Sequence, residues 1–462
     1  MRILFDQGVY DMRNKGNVAL LQIAVSRVRK LWPEASVEIL TSAPHLLRLY
    51  CPEASPVSPD SQYDWTENRS NLNAIIRRIP RSLLRSLFEA RDFLRVRWPA
   101  LSQSLNWTAS RAEHPLEVPE SQVGSSLSSQ ACSEKAPSRG IALEAVQRSD
   151  LFIATGAQYM SDACRDDALR VLDRLEAAHM RGIPTAMVGQ GIGPIDDAEL
   201  RSRASVVLPH VRFIFVRDRL VAPPLLTSLG VDPARITFTG DDAIELGFES
   251  RRNKSGNAMG ISLRLAHYTE LRASDAAKIR PVIHDAANKH GARLIGIPIS
   301  HSNHEMDDQV LNSLLGGSVK YELSQRRFDS PLELVKRVSR CRIVITGCFH
   351  TAVFALSQGI PAVGFAKSTM YVEKFKSLVD QFGAGCQVVD SGSAHSELDL
   401  AEAIDFAWDY AEKERSTLLS AASYHVGLGR AAYERLHQQV ERIRQEYLFD
   451  SQRQKWLIKS PA

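Results

Sequence analysis

A lone histidine on a tight turn is the group in this chain best placed to move a proton. His350 lies in residues 342–365, RIVITGCFHTAVFALSQGIPAVGF. Residues 343–346 are a β-branched run suited to a buried parallel strand, Gly347 lets the backbone reverse, and a helix begins near His350. Gly359 and Pro361 end that helix. The first turn of a helix carries unpaired N–H groups and a partial positive charge, so the turn of Thr346, Gly347 and Cys348 is suited to a phosphate or a carboxylate. His350 would then stand beside the anion as a proton donor.

Charged groups gather at other strand ends. Arg217 and Asp218 follow a strand at 213–216, Asp241 and Asp242 follow one at 236–239, and Arg264 follows one at 258–263. A guanidinium there can take a carboxylate or phosphate bidentately. Lys374 lies on a helix after Phe365. After the strand at 151 the chain reads ATGAQYMSD and after the strand at 185 GQGIGP, where Gly189, Gly191 and Gly193 leave room for a ligand to approach the backbone and Gln190 offers an amide to a hydroxyl. The stretch HSNHE (301–305) spaces two histidines by three residues, without a full ligand set, so no metal is expected.

The elements that must position these groups alternate. Short apolar runs at 2–5, 37–41, 151–155, 185–188, 213–216 and 236–239 are separated by amphipathic segments such as 17–31 and 166–180. Helices between such runs cover both faces of a parallel sheet, giving a doubly wound α/β domain. After a polar link at 250–257 a second set follows, with strands at 258–263, 293–298, 342–346 and 362–365. We expect two Rossmann-like domains, 1–249 and 257–397, facing across a cleft, with ligands beyond the carboxyl ends of their strands. Residues 398–462 read as helix with a break near 427–429.

Residues 60–140 interrupt the pattern. The helical stretch 71–98 overlaps a segment, 69–97, that holds eight Arg against only Glu89 and Asp92. It is an amphipathic insertion able to pack on its own domain or to lie on an anionic membrane. Residues 102–140, rich in Ser, Pro, Glu and Gln, read as a mobile linker. A net charge of +4 over 462 residues argues against nucleic acid as the main partner. Six scattered Cys, no leader pattern and no bilayer-length apolar run lead us to expect a cytoplasmic protein, with peripheral contact at the inner membrane face through 69–97.

Taken in order, these segments resemble the polysaccharide pyruvyl transferases. The resemblance runs from NKGNVALL (14–21) through ATGAQ, GQGIGP, VRDRL, TGDDA and GISLR to the His350 segment and YVEKF (371–375). It covers most of the chain outside 60–140. Members are similar to glycosyltransferases of the B-type fold and move a pyruvyl unit from phosphoenolpyruvate to a sugar, commonly as a cyclic ketal. The resemblance implies phosphoenolpyruvate as co-substrate with no other cofactor, and a sugar or glycan acceptor, free or lipid-linked. It implies donor binding by Arg264, Thr346, Gly347, Cys348 and Lys374, and acceptor binding by Asn14, Gly16, Asn17, Gly156, Gln190 and Gly191. His350, Asp241 and Arg217 are then catalytic, with His350 the acid toward phosphate and Asp241 the carboxylate on the acceptor side. Two positions depart from the family pattern: Cys348 stands where an Arg precedes the His by two, and Asn17 replaces an acid in the early NxGD pattern. A nucleotide-sugar glycosyltransferase of the same fold and a non-catalytic carbohydrate-binding relative are the other readings.

The local Arg excess predicts salt-sensitive binding to anionic lipid. Liposome flotation at low and high salt, with and without residues 60–140, checks this. Equal flotation of both proteins would remove the idea.

Overall fold

The computed structural model describes residues 1–59, 83, 140–302, 305–316, 321–323 and 329–459. The basic segment 69–97, apart from Leu83, and the linker 102–139 lie outside the described residues, as does part of HSNHE.

Strands β1 (Arg2–Asp6), β2 (Ser36–Leu40), β3 (Ser55–Val57), β4 (Leu151–Ala154), β5 (Thr185–Gln190), β6 (Phe213–Val216) and β7 (Ile236–Phe238) form one parallel sheet in the order β3-β2-β1-β4-β5-β6-β7. Every residue of β4, β5 and β6 is buried, because helices cover both faces; this is why these strands read as unbroken apolar runs. The second sheet contains β8 (Ala258–Ser262) and β9 (Arg293–Gly296). A small antiparallel hairpin follows, β10 (His301–Ser302) with β11 (Glu305–Met306). Strands β12 (Tyr321–Leu323), β13 (Cys341–Thr346), β14 (Ala362–Ala366) and β15 (Cys386–Asp390) complete the second sheet, in the order β12-β9-β8-β13-β14-β15. The edge strands β3, β12 and β15 were not expected from sequence; two of the three span only three residues.

Strand order reverses between β1 and β4 in the first sheet and between β8 and β13 in the second. Crevices open at such switch points, beyond the carboxyl ends of the strands. Asn14 and Gln158 therefore belong to one crevice, Arg264 and His350 to the other. The two crevices face each other. Ala19 and Leu20 of helix Lys15–Leu31, with Ala243 and Ile244 of helix Ala243–Glu249, share one apolar core with Leu334, Val353 and Phe354 of the second domain.

The carboxyl-terminal segment is a single helix, Ser396–Lys459, without the expected break at 427–429. Gly429 serves packing instead: a Cβ there would stand 2.7 Å from Arg27 Nη2. The helix buries Leu400 and Ile404 against the second domain, then Tyr433, Leu436 and Val440 against the first. Among the described residues no helix is long and apolar enough to cross a membrane.

Where the long helix meets the first domain, Arg27 lies buried between Asp242 and Glu245, with Nη1 2.5 Å from Asp242 Oδ1 and Nε 2.7 Å from Glu245 Oε2. Arg430 binds the other oxygen of Glu245 at 2.6 Å, and the Tyr433 hydroxyl donates to Asp242 Oδ2 at 3.1 Å. Removing one member of a buried ionic set strands its partners, so Arg27→Ala should lower stability by about 3–5 kcal/mol. Urea unfolding measures this, and a loss under about 1 kcal/mol, the scale of an exposed pair, would contradict it.

Candidate active site

The facing crevices enclose a cavity of about 180 Å³. Asn14, Asn17 and Gln158 line it from the first domain, with Arg217; Arg264, Cys348, His350 and Lys374 line it from the second. Each stands just beyond a strand end or on the helix that follows one.

Helix Lys15–Leu31 begins at the cavity. The Asn14 side chain caps it, accepting from the N–H groups of Gly16 at 3.0 Å and Asn17 at 3.4 Å. Its start is tied to the second domain, where the N–H of Lys15 donates to the Ile299 carbonyl at 2.9 Å. Gly16 presses on His350: a Cβ at Gly16 would stand 2.0 Å from His350 Nδ1. The Gly in the early motif therefore makes room for the imidazole.

His350 lies in the first turn of helix Phe349–Leu356. Its Nε2 is buried without a hydrogen-bond partner, 3.9 Å from Asp241 Oδ2 across the domain boundary. Burial, then the charges of Arg217, Lys374 and Arg264, hold the imidazole well below its ordinary value of 6.5. At 3.9 Å the carboxylate does not offset three cations, so His350 is neutral in the unliganded protein. Asp241 moves the other way, pushed up to about 6 by burial against the opposing charge of Arg217, whose Nη1 is 3.5 Å away. Its Oδ1 accepts the Ala243 N–H at 2.9 Å. Asp241 does not line the cavity; it lies behind His350 and Arg217, where a carboxylate directs an imidazole but does not itself meet an acceptor hydroxyl.

Arg217 crosses toward the second domain, with its guanidinium carbon 4.2 Å from the centre of the Phe349 ring. One Nη2 hydrogen goes to Gln158 Oε1, and Gln158 Nε2 donates to the Gly193 carbonyl at 2.6 Å. Gly191 is needed for this pair, since a Cβ there would stand 2.5 Å from both Arg217 Nη2 and Gln158 Oε1.

Several expected contacts fall elsewhere. Gln190 is fully buried and turns its amide inward, donating to the carbonyls of Ala154 and Thr155 and to the Tyr159 hydroxyl. Gly156 packs on the next strand, where a Cβ would meet the Gly189 carbonyl oxygen at 2.3 Å. Gly156, Gln190 and Gly191 thus shape the wall from behind. Thr346 is also internal: its hydroxyl accepts the Cys348 N–H at 2.8 Å, while Gly347 donates to the Ser262 carbonyl at 2.8 Å. With those two N–H groups used, the turn offers an anion less than the sequence suggested. Arg264 does reach the cavity, but its fork is bonded to Asp307 through Nε and Nη2, each at 3.0 Å. Asp307 also accepts from the N–H groups of Ile299 and Ser300, so it holds that loop and Arg264 together.

Sequence reasoning missed Gln158 and Asp307 in these roles. Gln158 stood in the ATGAQ motif and was passed over for its neighbours; Asp307, 43 residues from Arg264, carried no signal. Tyr268 was missed too. Its ring stacks on Tyr371 with centroids 5.9 Å apart, beside Lys374. Among the described residues no cluster of His, Cys, Asp and Glu has the makings of a metal site.

Two parallel sheets with facing switch points define a two-domain α/β protein of the B-type glycosyltransferase fold. The chain is similar in structure to UDP-GlcNAc 2-epimerase from Neisseria meningitidis bound to UDP-GlcNAc, with a TM-score of 0.52 and 13% identity over 96% of this chain and 100% of that one. It is similar also to UGT73P12 of Glycyrrhiza uralensis complexed with glycyrrhetinic acid 3-O-monoglucuronide, with a TM-score of 0.54 and 9% identity over 99% of each chain. At such identities the likeness is one of fold. No match is found among the curated proteins. The family model for polysaccharide pyruvyl transferase matches residues 14–369, and the chain belongs to that family.

Because Gly16 leaves no room for a Cβ beside Nδ1, Gly16→Ala should displace His350 and lower turnover by about 100-fold, although Ala is the better helix former. Steady-state kinetics with circular dichroism of the variant tests this. Full turnover in the variant would show that the contact places nothing.

Proposed function

We propose that the protein transfers a pyruvyl unit from phosphoenolpyruvate to a sugar of an exopolysaccharide or of its precursor. The observation that carries this reading is His350, buried among Arg217, Arg264 and Lys374 at facing switch points, in a chain of this family. Phosphoenolpyruvate brings a phosphate and a carboxylate, and the cations answer both. The missing family Arg at Cys348 has a substitute, because Arg217 arrives from the other domain and lies over Phe349, next in the chain.

The atoms balance for a ketal. Two sugar hydroxyls attack the enol carbon of the donor, and two C–O bonds form as the C–O bond to phosphate breaks. One hydroxyl proton ends on the methylene, which becomes methyl, and the other leaves with phosphate. His350 handles the proton on the phosphate side. Asp241 acts on it from behind, facing Nε2 and favouring a proton there, so that Nδ1, beside the helix start that bears Asn14 and Asn17, exchanges with substrate. Bound donor offsets the positive charges that add to burial in keeping His350 neutral, so its proton affinity rises and binding takes up a proton.

Thermal shift with phosphoenolpyruvate beside several nucleotide-sugars tests the donor, since a ligand at one hundred times its dissociation constant adds about 2.7 kcal/mol of stability. Stabilisation by a nucleotide-sugar alone, with no phosphate released from phosphoenolpyruvate, would replace this reading by glycosyl transfer. His350→Ala should cost about 100-fold to 10,000-fold in turnover. His350→Gln, which cannot supply a proton, should bind donor without the proton uptake seen by calorimetry in buffers of different ionisation heat. Turnover near wild type in that variant would overturn the acid role.

A further inference from the structure

A second groove lies at the opposite end of the first sheet. This cavity, of about 620 Å³, is lined at the amino ends of β5, β6 and β7 and by helix Ser396–Lys459. Five wall residues are of basic type, His179, His210, Arg212, Arg235 and Arg435, and none is acidic. In a chain with 57 Lys and Arg against 53 Asp and Glu, such a bias is local. Elsewhere on the domain surface Arg148 faces Glu38, Arg165 faces Glu199, Arg170 faces Asp167 and Arg203 faces Glu176. Arg212, Arg235 and Arg435 have no such carboxylate among the described residues; Arg235 bonds only the carbonyls of Pro209 and Val211. His179 and His210 are exposed and stack with centroids 4.3 Å apart and planes 16° from parallel.

We propose that this groove binds a carboxylate-bearing stretch of glycan, away from the cavity that holds His350. Guanidinium groups without a carboxylate partner suit carboxylates in a planar, bidentate way. Bases of single-stranded nucleic acid would want free aromatic faces; Phe213 and Phe215 of the wall are 7% and 3% exposed, and the rings of His179 and His210 stack on each other. A concave site of this volume also suits a chain better than the plane of a bilayer.

The choice of glycan rests on the proposed function, because each pyruvyl ketal adds a carboxylate to the sugar chain. Arg212 and Arg217 stand at opposite ends of β6, five residues and about 16 Å apart at the rise of an extended strand. A long acceptor would have one stretch in the cleft and another, already acidic, on the groove. Such tethering raises the effective concentration of the reacting unit.

Isothermal titration with an oligogalacturonate, on the wild type and on the double variant Arg212→Glu, Arg435→Glu, tests the groove. Both side chains are exposed, so the variant should keep its melting temperature and its turnover on a short acceptor, while affinity for the oligogalacturonate falls by about tenfold or more. Equal affinity in the two proteins would overturn the proposal. So would equal binding of the carboxyl-reduced oligomer, or binding confined to phosphatidylglycerol vesicles. The titration needs no donor, so absence of phosphate release from phosphoenolpyruvate with groove binding intact would count against the catalytic reading alone.

Discussion

The buried guanidinium of Arg27 fixes the relation of three segments that meet behind the cleft. It holds Asp242 and Glu245, which open helix Ala243–Glu249, and lies 4.9 Å from the Tyr433 ring of the long carboxyl-terminal helix. Arg27 stands on the same helix as Gly16, and Asp242 is the neighbour of Asp241. One ionic cluster therefore sets both the floor beneath His350 and the carboxylate that faces it. Charges so buried are costly to move singly, and each is matched here by more than one partner.

In front of that cluster stand the cations of the cleft. Burial and, after it, Arg217, Lys374 and Arg264 act together on His350, and the effect is a neutral imidazole among cations. Arg264 illustrates the economy of the arrangement: Asp307 orients its fork and also grips the loop at Ile299 and Ser300, against which the first helix starts. A cleft cation and the domain contact thus share one carboxylate.

Glycines at this site act through space rather than flexibility. Gly16 admits the His350 ring, and Gly191 admits the Arg217–Gln158 pair, each where a Cβ would overlap its neighbour. Close approach of this kind explains why short Gly-bearing motifs flank the cleft although only some of their residues reach it.

Much of the architecture was legible in the residues themselves. Short apolar runs at β4 and β6 and the β-branched run in β13, alternating with amphipathic segments, point to parallel strands covered on both faces by helices. His350, Arg217, Arg264 and Asp241 were legible as a set because each follows a strand, and strand ends in this fold converge. What each side chain does there depended on partners distant in the chain. Gln190 looked like a ligand-facing amide, yet the carbonyls of Ala154 and Thr155 claim it; Arg264 looked like an anion fork, yet Asp307 fills it. Gly427 and Gly429 looked like a helix break, but tertiary burial on two domains outweighs a local propensity cost of about 1 kcal/mol per glycine. Sequence periodicity reports which face of an element is buried. Which polar group meets which, and whether a histidine is charged, is settled only when segments far apart in the chain, as Asp6 and Arg174 (168 residues) or Arg27 and Asp242 (215 residues) are, come within bonding distance.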